Sequence, residues 1–118
     1  REAHPKPRTH LSVNEKGRIV LIPVADILFL KAELKYVTVR TAAREFLIEE
    51  SLTRLEGEFG EAFLRIHRNC LVASARIREI GKLPGEEGGH FLRLDGLDER
   101  LMVSRRQYSS LRETLQSV

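Results

Sequence analysis

Residues 27–41 read Ile27-Leu28-Phe29-Leu30-Lys31-Ala32-Glu33-Leu34-Lys35-Tyr36-Val37-Thr38-Val39-Arg40-Thr41. The first four are continuously apolar, the pattern of a buried strand. From Tyr36 the residues alternate with period two and are rich in β-branched and aromatic types, which predicts a second strand. Arg44 to Glu49 can pair back on it after a short turn, so this part of the chain forms antiparallel sheet.

Working outward, Leu11 to Asn14 and Ile19 to Ile22 flank Glu15-Lys16-Gly17-Arg18, a hairpin in which Gly17 supplies the positive φ. Pro23 ends the second strand or marks its edge. On the other side, Ser51 caps a short helix whose Leu52, Leu55 and Phe59 recur at i, i+3 and i+7; Gly57 weakens it and Gly60 stops it. Phe63 to Arg68 and Ile77 to Leu83 read as strands, and Pro84 to Gly89 as a polar, glycine-rich loop. His90 to Leu94 and Arg100 to Val103 form a hairpin around Asp95 to Glu99. Ser104-Arg105-Arg106-Gln107 matches a capping box, followed by a C-terminal helix with the stripe Tyr108, Leu111 and Leu115. The fold class is mainly β, with antiparallel sheets, a short central helix and a C-terminal helix.

At 118 residues and 42% apolar content the chain has material for one core. Pro5 and Pro7 disfavour regular structure in the first ten residues, so residues 1–10 are expected to be a linker remnant of a larger protein and residues 11–118 the folded domain. A lone Cys70 excludes an internal disulfide and fits a reducing compartment. No run approaches the roughly 18 apolar residues of a membrane span. A cytoplasmic protein without membrane contact is expected.

Charge is segregated along the chain. Glu45 to Glu61 carries six acids against Arg54 alone, whereas Ala62 to Lys82 carries five cations against Glu79 alone. Pro84 to Glu99 is acidic again and Arg100 to Arg112 holds four arginines and no acid. Such blocks suggest one positive and one negative face. Within FLRIHRNCLVASARIREI (Phe63 to Ile80), Arg65, His67, Arg68, Asn69, Arg76 and Arg78 sit among short apolar groups, a cluster that wants an anion. Such cations can neutralise phosphates while Arg and Asn forks reach base edges, so duplex DNA is the first partner to consider. Arg105 and Arg106 stand in the first turn of a helix, where a cation opposes the helix dipole at a cost of about 0.3–1 kcal/mol. An anion bound there would be held by free N–H groups and both guanidinium groups.

Catalysis finds no foothold. There is no P-loop, no G-x-S-x-G elbow and no H-E-x-x-H, and Gly85, Gly88 and Gly89 lie in an acidic turn that would repel phosphate. His67 lies three residues from Cys70, a spacing open to a thiol–base pair or half a metal site. Yet one Cys with scattered His4, His10, His67 and His90 makes no recognisable ligand set. His67 fits better as an ordering hydrogen-bond partner. No enzyme activity, cofactor or metal is expected.

The order of Glu33-Leu34-Lys35-Tyr36-Val37, Ser51-Leu52, Phe63-Leu64-Arg65-Ile66-His67-Arg68-Asn69 with Leu71-Val72, and Leu101-Met102-Val103-Ser104-Arg105 resembles the LytTR family of bacterial DNA-binding domains. The likeness runs from about Leu11 to Leu115. Its most specific piece is Phe63, Arg65, Ile66, His67 and Arg68, supported by Val103-Ser104-Arg105. Within that family the chain is similar to the alginate-biosynthesis regulator type. The resemblance implies an elongated arrangement of antiparallel β-sheets, serving as the output domain of a two-component response regulator with a receiver domain in front. It implies DNA read by loops, on tandem or paired half-sites and with a possible dimer on DNA. Carried over by position, the first loop is Glu33 to Val37, with Lys35 the best contact and Tyr36 or Val37 beside it. Arg68 and Asn69 stand in the middle segment, and Arg106, with Arg105, in the third, while Arg65 and His67 join the expected DNA contacts from the cationic cluster. The family usually has Ser-Tyr after His-Arg and Asn after the following Val, where this chain has Asn69-Cys70 and Ala73, so base preference does not carry over.

Arg68 and Arg106 can read guanine or position phosphates; Asn69 can read adenine or close a turn. Lys35 reads as a phosphate contact. The rival from another class is a protein-interaction module of a signalling protein without direct DNA readout. An RNA binder is disfavoured by the scarcity of exposed aromatics.

Overall fold

The computed structural model describes residues 6–85 and 88–116. Among the described residues the chain forms ten strands and two α-helices. They are β1 (His10–Glu15), β2 (Arg18–Pro23), β3 (Ile27–Glu33), β4 (Tyr36–Thr41), β5 (Glu45–Ile48), α1 (Leu52–Phe59), β6 (Phe63–His67), β7 (Cys70–Ala73), β8 (Ile77–Lys82), β9 (His90–Leu94), β10 (Arg100–Val103) and α2 (Arg105–Gln116). All pairing is antiparallel, in a β1-β2 hairpin, a central sheet ordered β5-β4-β3-β7-β6, and a third sheet ordered β10-β9-β8. The body measures 49 × 41 × 25 Å, nearly twice as long as it is thick.

The central sheet is covered on both faces. On one side Leu11, Val13 and Ile22 of the first hairpin and Leu52, Leu55 and Phe59 of α1 pack with Ile27, Leu30, Val37, Val39 and Leu71. On the other, Leu92, Leu94, Leu101, Val103 and Leu111 pack with Leu28, Phe29, Ile66, Cys70 and Val72. A strand with core on both sides needs no polar alternation, which explains the unbroken apolar runs of β3 and β7. Strand β7 is not among the strands that the sequence predicts, because the four apolar residues Cys70–Ala73 carry no period to betray a strand. The structure makes it the strand joining β3 to β6.

Local signals hold elsewhere. Ser51 Oγ accepts from the Arg54 N–H at 3.3 Å, and Gly60 ends α1 at φ 55. The β1-β2 turn puts both Lys16 and Gly17 at positive φ (48 and 78), the geometry that matches strand twist in a two-residue hairpin.

Two expectations need correction. The folded part starts before residue 11: His10 lies in β1, the Thr9 carbonyl accepts from the Val24 N–H at 2.9 Å, and Arg8 is clamped by two acids. Its Nη2 lies 2.7 Å from Glu58 Oε1 and 2.8 Å from Glu50 Oε1, and its N–H donates to Glu58 Oε2 at 2.9 Å. These bonds, Glu58 first, raise the guanidinium pKa further, and Arg8 in turn holds the Glu58 carboxyl below its ordinary range. The rest of the expected linker, residues 1–5, lies outside the described residues, as do residues 86–87 of the expected polar loop. Secondly, the charge blocks do not simply become opposite faces. Across β8 and β9 the basic and acidic blocks close on each other, with Arg78–Asp95 at 2.8 Å and Arg93–Glu79 at 2.5 Å, because Glu79 and Arg93 are register partners.

Among the described residues, no helix is long and apolar enough to cross a membrane.

Candidate nucleic-acid interface

Three connections meet at one end of the central sheet. The first is the β3-β4 turn, Leu34-Lys35, closed by the Glu33–Tyr36 pair. Lys35 is exposed, and its Nζ stands 5.5 Å from the ring centre of the half-buried Tyr36. The second is the β6-β7 turn, Arg68-Asn69, closed by the His67–Cys70 pair. Because β7 runs antiparallel to β3 and Cys70 pairs with Lys31, the two turns lie at the same end. A backbone bond ties them: the Ala32 N–H donates to the Asn69 carbonyl at 2.8 Å.

The third is the start of α2, and a β-bulge brings it in. Pairing of β6 with β7 goes from Arg65–Leu71 to His67–Cys70, which leaves Ile66 without a ladder partner. Its side chain is fully buried and its carbonyl accepts the Ser104 N–H at 2.8 Å. That bond seats the helix start two residues from Arg68. Ser104 then caps α2, its Oγ accepting from the Gln107 N–H at 3.2 Å and its carbonyl from the Tyr108 N–H at 3.0 Å. Only half of the expected capping box forms. The Ser104 N–H, which the Gln107 side chain was to satisfy, goes to Ile66 instead.

The Arg68-Asn69 turn has neither glycine nor a positive φ, so other groups must hold it. The Asn69 N–H reaches His67 Nδ1 at 3.4 Å, the ordering role expected of His67. Arg65 contributes more: its Nη1 donates to the Arg68 carbonyl at 2.5 Å, and its Nη2 bonds Glu56 Oε1 of α1 at 2.7 Å. Arg65 was expected among the DNA contacts, but with a side chain only 17% exposed and both Nη groups engaged it braces the turn from behind. The other cations of that cluster are also thinned out. Arg78 pairs with Asp95, and Arg76 Nη2 donates to the Ala25 carbonyl at 3.3 Å.

What remains is a narrower set than the sequence offered. Lys35, Arg68, Arg105 and Arg106 are exposed and have no carboxylate partner among the described residues. Asn69 is half-buried, its backbone fixed and its side-chain amide without a bond among the described residues. The first turn of α2 contains no acid to offset Arg105 and Arg106. Cys70 lies behind this rim, 5% exposed, and burial pushes its thiol up to about 12, which leaves it protonated at neutral pH. The His67–Cys70 pair therefore holds no thiolate nucleophile.

The profile of the LytTr DNA-binding domain matches residues 17–116. The chain belongs to the LytTr DNA-binding domain family. The positive alginate biosynthesis regulatory protein of Pseudomonas aeruginosa is 47% identical to this LytTr domain over 111 residues, 92% of the chain and 44% of the relative. The transcriptional regulatory protein YpdB of Escherichia coli is 29% identical over 99 residues, 83% of the chain and 40% of the relative. The chain thus spans less than half the length of these curated relatives. In fold it superposes on the LytTr DNA-binding domain of a Bacillus cereus response regulator with a TM-score of 0.75 at 22% identity, covering 92% of this chain and 97% of that one. Membership in this family of DNA-binding domains sets aside the interaction module without DNA readout.

Proposed function

We propose that this LytTr domain reads double-stranded DNA sequence-specifically through the Leu34-Lys35 turn, the Arg68-Asn69 turn and the start of α2. In this reading it is the output domain of a two-component transcriptional regulator whose receiver precedes it. The observation that carries the reading is the convergence, on one end of one sheet, of exposed cations from three separate stretches that have no carboxylate partner among the described residues. Exposed cations of one sign on one rim create a positive potential that attracts a polyanion.

Arg106 and Arg68 are assigned to bases or to the phosphates flanking them, Arg105 and Lys35 to phosphates, and Asn69 to adenine N6 and N7. Tyr36 and His67 support Lys35 and Asn69 respectively, with secondary contacts of their own. Arg65 is assigned to positioning instead of to DNA. The same reading places the protein in the cytoplasm, gives it no catalytic step, and has it bind tandem or paired half-sites as a dimer, by likeness to its family.

Selection of duplexes from a random pool at two salt concentrations tests this directly. Neutralising about four phosphates, one for each of Lys35, Arg68, Arg105 and Arg106, gives a slope of log K against log[salt] near −3 to −4, with one sequence enriched. A pool that fails to enrich, or binding indifferent to salt, defeats the proposal.

A further inference from the structure

Leu34 breaks two local rules at once. The residue is 105% exposed, more than Ile19, Leu21, Leu47 or Met102, the other large exposed apolar residues among those described. Its backbone sits at φ 55, in the left-handed region that leucine rarely adopts. It is the first of two turn residues, the position where a hairpin with positive φ at that site alone ordinarily takes glycine. Ile19, Leu21, Leu47 and Met102 lie on regular strands and carry no such backbone strain. Leucine here gains no packing within the fold and loses, relative to glycine, in conformation. Strain without internal compensation marks a position retained for what it touches outside.

The place of Leu34 narrows what that is. It stands at the end of β3, two residues from Ala32, whose N–H holds the Asn69 carbonyl, so it projects from the rim that carries Arg68 and Asn69. Lys35 beside it is an exposed cation suited to a phosphate. Of the groups that base pairs display on their edges, the C5-methyl of thymine is the apolar one. It lies in the major groove, which is wide enough to admit a two-stranded ribbon such as β3-β4.

We infer that Leu34 packs on the C5-methyl of a thymine in the major groove and makes that thymine a specified position of the site. The inference rests on the DNA reading proposed above and adds the apolar group that the arginines and Asn69 cannot read.

The test uses the selected duplex with its thymines replaced one at a time by deoxyuridine, which removes the methyl and nothing else. The intact chain binds about three- to fivefold more weakly at one such position, the effect of losing one methyl's worth of buried contact. Leu34→Ala binds the thymine duplex correspondingly more weakly and is indifferent to deoxyuridine there. Leu34→Gly loses the same discrimination while its thermal midpoint rises, because glycine relieves the backbone; a merely structural role for Leu34 would not separate the two. A full set of deoxyuridine duplexes bound as tightly as the parent, or a penalty that persists unchanged in Leu34→Ala, overturns the assignment and leaves the DNA reading standing. Failure to bind any selected duplex overturns both.

Discussion

Replacing Glu56 by Gln separates the brace described for Arg65 from plain electrostatics, because the two predict opposite signs. Removing a negative charge from a protein that binds a polyanion should, by Coulomb's law alone, tighten binding. Glu56 instead holds Arg65 at 2.7 Å, and the same guanidinium holds the Arg68 carbonyl at 2.5 Å. Breaking a fully buried pair costs about 3–5 kcal/mol. Here Arg65 is 17% exposed but Glu56 is 39% exposed, so solvent screens the pair; glutamine also retains an oxygen to accept the bond. A loss of about 1–2 kcal/mol of stability follows, a fall in thermal midpoint of roughly 3–8 °C for a domain of this size. The domain stays folded at 25 °C, so binding can be compared there. With its brace loosened, the Arg68-Asn69 turn must be ordered on binding, and specific affinity falls about three- to tenfold, or roughly 0.7–1.4 kcal/mol. Fluorescence anisotropy with the selected duplex and a scrambled one, at two salt concentrations, reads both effects. Tighter binding of Glu56→Gln to both duplexes would refute the brace and leave Glu56 as an ordinary repulsive charge.

Arg106→Ala should weaken the selected site by about 1–3 kcal/mol more than random duplex in the same assay; equal losses would reduce Arg106 to a phosphate contact. Lys35→Ala should weaken both together and flatten the salt slope by about one, measured as a titration at several salt concentrations. The Arg8 clamp is pH-dependent: because Arg8 lowers the Glu58 pKa from its ordinary 4.5, its contribution is present above that value and is lost as pH falls through the folded one. Thermal midpoints of the parent and Arg8→Ala should therefore differ at pH 7 and converge in acid; a constant gap would show that the clamp acts without Glu58. Cys70, buried and with its thiol pushed up to about 12, should react with iodoacetamide at pH 8 far more slowly in the native protein than in urea. Equal rates would place it at the surface.

Elements with local signals were legible in the sequence. Gly17 marks its turn by φ, Ser51 and Gly60 bracket α1, and the alternation from Tyr36 onward gives β4. Strand β7 escaped because Cys70–Ala73 is apolar throughout and the Arg68-Asn69 turn before it has no glycine or proline to announce it. The site was legible as a surplus of cations but not in its membership. Which arginines remain free depends on which strands become neighbours: Arg78 is neutralised by Asp95 only because β8 lies beside β9, and Arg65 by Glu56 only because α1 packs near β6. Spacing along the chain holds no record of those partners. The bulge at Ile66, which seats α2, is likewise a property of the folded pair β6-β7.

That the Leu34-Lys35 and Arg68-Asn69 turns hang from a single hydrogen-bonded sheet gives the molecule a fixed calibration. Neighbouring strands are about 4.8 Å apart, so the turn between β3 and β4 and the turn between β6 and β7 stand roughly 10 Å from each other along the sheet, comparable to three stacked bases at about 3.4 Å each. On the proposed reading, inserting one base pair between their contacts displaces the farther one by about 3.4 Å and swings it around the duplex axis by roughly a tenth of a turn. Neither turn can follow without breaking the Ala32–Asn69 bond. Such a protein measures the interval between letters as strictly as it reads them, and an operator can be silenced by a length change that leaves every contacted base intact.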